Sequence, residues 1–526
     1  MTSAYVTPGV YIQELNAFPN SVVAVPSAVP AFIGYTPVAA YQGRSYANVP
    51  VKITSFADFQ AYFMLPDPPA PLDPVAQYAP QYHLVAQKDK PASGEYILLD
   101  GVYYAVLPDP STIYYLYNSV RLFYQNGGGD AYIVSVGTYG AASGKPNTDP
   151  AAQIVNPNVK LADLQRGLAL LKNEQEPTMY LCPDATLMSL ADNAILNPAM
   201  LQQAAAMGTA VCLLDIIGGA RPDPIQYTDD IANFRNSTGI NGLHYGISYY
   251  PFLGTNIMQT GELNFTNLFG GDTTRLNSLL SPASAPNPQA VQILTQIQHP
   301  PAKPMTNRQL QAALVAASPV YARIMASVTE LANVLPPSGA MAGVYTATDN
   351  MDGPWRSPAN CPITGAVSLP IRLSDSQQAA LNIDEATGKS INAIRMFNGQ
   401  GILVWGARTL DGNSQDWRYI AVRRTMIYLE QSIREAARAF VFQPNDANTW
   451  AAVKSMIGSF LTDVWKQGGL QGASPGDTYQ VDIGLGITMT PEDIQNGIMR
   501  VSVKVAVQRP AEFIVITFEQ QQATSD

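Results

Sequence analysis

PPSGAMAGVYTATDN occupies residues 336–350, PWRSPAN residues 354–360, GILVWGARTLDG residues 401–412 and DWRYIAVRR residues 416–424. The reading of this stretch, Pro336 to Arg424, decides the fold. No set of nucleophile, base or metal ligands accompanies it. Its Gly, Pro, Asn and aromatic residues at set positions suggest a surface shaped to be copied many times. That points toward assembly and away from catalysis.

Immediately downstream the pattern is helical. Val422, Met426, Leu429, Ile433, Ala436 and Phe440 fall on one face, with Arg423, Arg424, Arg434 and Arg438 largely off it. Pro444-Asn445-Asp446 stops that helix and caps the next. There Trp450, Val453, Ile457, Phe460 and Val464 form the stripe, and Gly468-Gly469 ends it. Thr490-Pro491-Glu492-Asp493 supplies an N-cap, an N1 proline and an acidic first turn. Met499, Val501, Val503, Val505 and Val507 then alternate with polar residues, the mark of a half-buried strand. Pro510 breaks it, and Glu512 to Phe518 reads as a last strand.

Upstream, residues 1–35 alternate short β-like runs such as Val10-Tyr11-Ile12 with turn residues, and Pro26 and Pro30 interrupt them. Proline is confined to edge strands and strand starts, so this region is expected to be an extended arm with exposed edges. Residues 51–63 predict a strand and then a helix capped by Ser55. Residues 64–110, with six prolines between Pro66 and Pro80, read as a loop or insertion. A helix over 113–124, the turn Asn126-Gly-Gly-Gly-Asp130 and a strand from Ala131 come next. Residues 161–250 read as α/β. Residues 254–335 give a polar, Pro-bearing section and one helix from about Asn307 to Leu335.

The chain has 526 residues, enough for two to four domains. Hydrophobic residues make up 47% and charged residues only 13%, half the usual level of about 25%. Burial of much of the surface in an assembly accounts for this, as does an ordinary Gly/Pro-rich β protein. A net charge of −10 argues against general nucleic-acid binding. From Arg395 to Arg509 there are 12 Lys/Arg and 10 Asp/Glu, so the C-terminal part is mildly basic on an acidic chain. Three scattered cysteines (Cys182, Cys212, Cys361) give neither a disulfide framework nor a zinc spacing. A secretion signal and a transmembrane helix are not expected.

The chemical motifs are weak. Thr387-Gly388-Lys389-Ser390 ends like a phosphate loop, but Ile383 stands where its first glycine belongs. His83, His244 and His299 are isolated, and Ser248 and Ser338 lack a hydrolase elbow. Asp349 and Asp352 resemble a fragment of a calcium loop without its bidentate Glu. All five tryptophans, Trp355, Trp405, Trp417, Trp450 and Trp465, lie after residue 350. They read first as a large aromatic core and second as subunit anchors.

TPGVYIQEL, VPAFIGYT (29–36), ITSFADFQAYF, LYNSVRLFYQNGGGDAYIV, PPSGAMAGVYTATDN, PWRSPAN, WGARTLDGNSQDWRYIAVRR, FQPNDANTWAAV and RPAEFIVITF together resemble the contractile tail sheath family of phages and phage-tail-like injection systems. The resemblance implies an α+β chain. An inner α/β domain is formed by both chain ends, and an outer α/β domain with β-rich insertions is placed between them. The corresponding bounds are 1–35 for the N-terminal arm and first inner strands, 36–365 for the outer part with insertions at 64–110 and 254–335, 366–510 for the inner domain and 511–526 for the C-terminal arm. It also implies helical polymerisation around an inner tube, followed by contraction that drives the tube through a target envelope. The arms would add strands to neighbouring subunits, through Val10, Tyr11 and Ile12 at one end and Phe513, Ile514, Val515 and Ile516 at the other. The basic helix would meet the tube, with Arg423, Arg424, Arg434 and Arg438 as candidate contacts. Implied partners are identical or paralogous sheath subunits, the tube protein, and baseplate and terminal cap proteins. No enzyme activity, cofactor, metal, nucleic acid or membrane insertion is expected. The expected location is the bacterial cytoplasm during assembly, then a released particle or virion tail. The rival readings are a static shell protein and a hydrolase on the α/β middle.

Overall fold

A computed structural model describes residues 22–69, 72–91, 96–220 and 227–513. They divide into two compact units. One holds residues 26–427 with 509–513, and the other holds 428–508 with 22–25.

The larger unit is built on an eight-stranded sheet. Its strands are β1 (Pro30–Thr36), β2 (Pro50–Ile53), β3 (Ala131–Thr138), β4 (Met179–Leu181), β5 (Val211–Asp215), β6 (Gly246–Tyr250), β7 (Asn392–Phe397) and β8 (Gly401–Trp405). Their order is β8-β7-β6-β5-β4-β1-β3-β2. The six from β7 to β3 run parallel, and β8 and β2 close the two edges antiparallel. β1 is buried at every position. The expectation of exposed edges through residue 35 therefore fails for this strand. Pro30 is its first residue, where a missing N–H removes no ladder bond, so the proline marks a strand start in the middle of the sheet.

Helix α1 (Leu116–Gln125) and helix α2 (Ser338–Asp352) pack against each other on the sheet. α2 is the PPSGAMAGVYTATDN segment, and its residues from Ser338 to Thr346 are all buried. The most motif-dense stretch of the chain thus begins in the core, not on a surface. Its first turn has no cap of its own. Asp215, at the end of β5, supplies one by accepting from Ser338 N at 3.0 Å and from the Ser338 hydroxyl.

The Pro-rich segment is not merely a loop. Tyr82–Gln87, Val102–Pro108 and Tyr96–Leu99 form a three-stranded antiparallel sheet. It meets the 254–335 region, where Tyr82 bridges Leu268 and Arg323 Nη2 donates to Tyr96 O at 3.1 Å. That region carries four helices, Thr273–Leu280, Pro288–Gln298, Asn307–Ala317 and Pro319–Ala332. The single helix expected from 307 to 335 is split because Ser318 caps a new one with Pro319 at its first position.

Helix α3 (Ile420–Ala437) crosses the division between the units. In the smaller unit, α4 (Ala447–Lys466) is capped by Asp446 and buries Val453, Met456, Ile457, Phe460, Leu461 and Val464. Tyr479–Asp482 pairs with Ser502–Val505 in a two-stranded antiparallel sheet. The expected capping at Thr490 is present, over a short helix Pro491–Gln495. None of the five tryptophans is fully buried, so the aromatic core does not come from them. Its largest members are Tyr114, Tyr180, Tyr250, Tyr321, Tyr345, Phe32, Phe59, Phe63 and Phe123.

Candidate assembly interface

The crevice of a doubly wound sheet, at the carboxyl ends of its parallel strands, is the usual ligand site of such folds. Here β1 lies between β3 and β4, and the crevice is filled from within. Asp184, just after β4, accepts from Tyr35 N at 2.9 Å, Tyr115 N at 2.7 Å and Leu116 N at 3.2 Å. The carboxylate thus sits on the N-terminus of α1, where a phosphate would sit in a nucleotide-binding relative of this architecture. Burial pushes its pKa up to about 6, and that of Asp215 up to about 7. Lys389 of the GKS tripeptide is buried, and its ammonium donates to Arg235 O. Asp349 and Asp352 are engaged by Arg424 and Arg356 respectively. Among the described residues no group of three His, Cys, Asp or Glu side chains is placed to hold a metal ion, and no helix is long and apolar enough to cross a membrane.

The four arginines expected to face a tube separate into two pairs. Arg423 and Arg424 are only 3% and 4% exposed and are not surface groups. The Arg423 guanidinium lies 4.3 Å from the centre of the Trp417 ring and 4.8 Å from that of Tyr245. Arg424 grips Asp349 with both terminal nitrogens, at 2.8 and 2.6 Å, and its Nη2 also donates to Ser27 O at 3.1 Å. Burial pulls the Arg424 pKa down, but the Asp349 carboxylate overrides it and holds the pKa above the ordinary value. The helical stripe misled because residues 420–425 of α3 are buried on all sides. Arg434 and Arg438 are exposed, and Arg438 pairs with Glu435 at 2.8 Å.

Of the arm residues, Val10, Tyr11, Ile12, Ile514, Val515 and Ile516 lie outside the described residues. Phe513 is 68% exposed. Its neighbour Glu512 is held firmly. Arg408 reaches it at 2.9 Å through Nε and 2.7 Å through Nη2, Asn382 Nδ2 at 2.8 Å and the Tyr419 hydroxyl at 3.4 Å. Burial alone would raise the Glu512 pKa, but the bonds from Arg408 and Asn382 outweigh it and the net shift is downward. On the N-terminal side, Ser27 Oγ donates to Asp349 at 2.5 Å, so Asp349 receives both Arg424 and Ser27.

The smaller unit exposes features that the sequence reading missed. Val441 and Phe442 come after α3 and are exposed, Phe442 fully. Phe442 has φ 69°, a backbone region that bulky residues rarely enter. Leu485, Ile487 and Ile498 are exposed as well. The only signal in the sequence is a run of apolar residues beside turn residues. Met499–Val507 was expected to be one strand, and the paired part is Ser502–Val505, continued by a bridge between Leu470 and Val507. A two-stranded sheet is marginal alone, and unpaired strand edges are templates for another chain.

Residues 413–521 match the model of the phage tail sheath C-terminal domain. A tail sheath protein of Vibrio phage KVP40 is 32% identical over 139 residues, or 26% of this chain. The chain spans 20% of the length of that relative. Among solved structures, the anti-feeding prophage helical sheath in its contracted state is 25% identical, with a TM-score of 0.56 over 98% of this chain and 100% of that one. A chain of the six-fold symmetrised anti-feeding prophage baseplate matches at 26% identity and TM-score 0.55, over 99% and 100%. The contracted sheath complex of the extracellular contractile injection system PVC shares the fold at 23% identity and TM-score 0.54, over 99% of each chain. The chain is homologous to the sheath proteins of phage tails and contractile injection systems, and it carries their C-terminal domain at 413–521.

Proposed function

We propose that this chain is a structural subunit of a contractile sheath. It polymerises helically around an inner tube and contracts to drive that tube through a target cell envelope. The observation that carries this reading is the match to the anti-feeding prophage sheath over 98% of the chain at 25% identity. The sheet of the smaller unit, two-stranded among the described residues, and that unit's exposed apolar side chains support it, since both are suited to being covered by neighbours. The role is structural, not catalytic. The arms, residues 1 to about 25 and 511–526, contribute strands to neighbouring subunits, through Val10, Tyr11 and Ile12 and through Phe513 to Ile516. Exposed Arg434 and Arg438 face the tube, next to Phe442 in the chain. Partners are further sheath subunits, a tube protein, a baseplate and a terminal cap. Assembly takes place in the bacterial cytoplasm, and the finished particle is released.

Co-expression with a candidate tube protein, followed by negative-stain microscopy, tests the reading. Cylinders in a long narrow form and a short wide form are expected. Flat arrays, or cylinders of one fixed geometry under every triggering condition, would favour a static shell instead.

A further inference from the structure

Ser27 and Glu512, the described residues next to the two proposed arms, are both held by one short segment. Residues 407–420 form a hairpin closed by the Arg408–Tyr419 bridge, with Thr409 N donating to Arg418 O at 2.8 Å and Ile420 N to Ala407 O at 3.0 Å. Asn392 of β7 ties it to the sheet, since its Oδ1 accepts from Arg408 N at 2.8 Å and its Nδ2 donates to Arg408 O at 2.8 Å. From this hairpin Arg408 and Tyr419 hold Glu512, the residue before Phe513. Four residues past the hairpin, Arg424 holds Asp349 and the Ser27 carbonyl, three residues before β1 begins. Each clamp is an arginine fork on a carboxylate, with side-chain exposures of 5% and 17% for Arg408–Glu512 and 3% and 2% for Arg424–Asp349.

We infer that the 407–424 segment is a common anchor for both arms, and that Arg408 and Arg424 are positioning residues that set the points from which the arms pivot. An apolar contact can slide under load, whereas a bidentate fork is directional and holds one geometry until it breaks. Little water reaches these forks, so separating them leaves charges without solvation. Pull on the C-terminal arm is therefore delivered through the hairpin and Asn392 to the parallel sheet, and pull on the N-terminal arm reaches the Arg424–Asp349 pair through Ser27 and β1 along the chain. This rests on the arm reading under Proposed function and assigns that reading two pivots.

The test uses the full chain co-expressed with its tube. Glu512→Gln keeps the shape and the Asn382 contact but removes the charge that Arg408 grips. The expected result is a soluble subunit with wild-type circular dichroism, and a yield of regular cylinders lower by about tenfold, from the loss of the charged fork within each subunit. Ser27→Ala, which leaves Arg424–Asp349 intact, should give a smaller loss of the same kind. The exchange Arg408→Glu with Glu512→Arg should restore part of the yield, which a merely structural contribution of either side chain would not predict. Wild-type cylinders from Glu512→Gln, or no recovery in the exchange, would overturn the inference and leave the sheath reading standing. Failure of the wild-type chain to form cylinders would overturn both.

Discussion

Replacing Gly343 by alanine tests what fixes α2 in place. Gly339 and Gly343 lie one turn apart on the side of α2 that faces α1. A Cβ at Gly343 would stand 2.5 Å from Phe123 O and 2.7 Å from Asn126 Cβ, and one at Gly339 would stand 2.6 Å from Ser119 O. Ordinary contact begins near 3.4 Å, so the helices would have to part by about 0.9 Å at Gly343. The nearest obstacle is a backbone carbonyl, and no rotamer change relieves it. Overpacking of this kind costs about 1–3 kcal/mol, and alanine returns about 1 kcal/mol of helix propensity. The net expectation is a loss of about 1 kcal/mol in the larger unit, the middle of a range of about 0–2 kcal/mol.

Gly129→Ala is the control. It faces the same helix, but its Cβ would meet only Thr346 Cγ2, at 3.7 Å, so a change within about 0.5 kcal/mol is expected. The double variant Gly339→Ala with Gly343→Ala should lose less than the two single losses combined, because one separation relieves both clashes. Equilibrium urea unfolding followed by circular dichroism reads the result. The midpoint of the larger unit should fall at unchanged slope for Gly343→Ala. A Gly343→Ala chain as stable as wild type, or as Gly129→Ala, would refute the view that close backbone approach defines this crossing.

Burial raises the Asp215 pKa to about 7, against an unfolded value near 3.9. Between those two values the folded chain binds the proton more tightly, so this group's contribution to stability falls as pH rises from about 4 to about 7 and is flat above. Asp215→Asn should therefore gain stability relative to wild type between pH 5 and pH 8, measured as the difference in urea midpoints; a difference independent of pH would sink the reasoning. Reversing Arg434 and Arg438 together to Glu should leave the fold and melting temperature nearly unchanged, since exposed pairs such as Arg438–Glu435 contribute about 0–1 kcal/mol. The same reversal should reduce co-sedimentation with the tube protein, and unimpaired co-sedimentation would remove these two residues from the tube contact.

Local chemistry was legible in the sequence. Ser55, Asp446 and Thr490 cap helices where their side chains can reach the first turn, and each is a property of four or five adjacent residues. Long-range pairing was not. β1 carries Pro30 at its start and so looked like an edge, because its position in the sheet depends on Met179 and Tyr132, far along the chain. The α2 segment read as a surface because Ser338–Thr346 are buried all round and leave no polar stripe to reveal a helix. Its glycines provide room for α1, not freedom for a loop. The partners of Arg408 and Arg424 are Glu512 and Asp349, 104 and 75 residues away, and no periodicity announces such pairs. The arm strands themselves fall mostly outside the described residues, so that part of the reading still rests on the resemblance.

The charge pattern gains a different meaning once these pairs are placed. The mildly basic C-terminal region is not a basic face. Arg395 pairs with Asp375, Arg408 with Glu512 and Arg424 with Asp349, and Arg423 lies between two aromatic rings. All four belong to the larger unit. The stretch 428–508 that remains has six Lys/Arg against eight Asp/Glu. A chain with only 13% charged residues thus turns several of its cations inward. The smaller unit instead presents Phe442, Val441, Ile487 and Leu485 to its surroundings. Solubility through charge and exposure of large apolar side chains pull in opposite directions. Large apolar tips left exposed in this way are best explained if assembly covers them. On that account the low charge content of the sequence and the exposed Phe442 have the same cause.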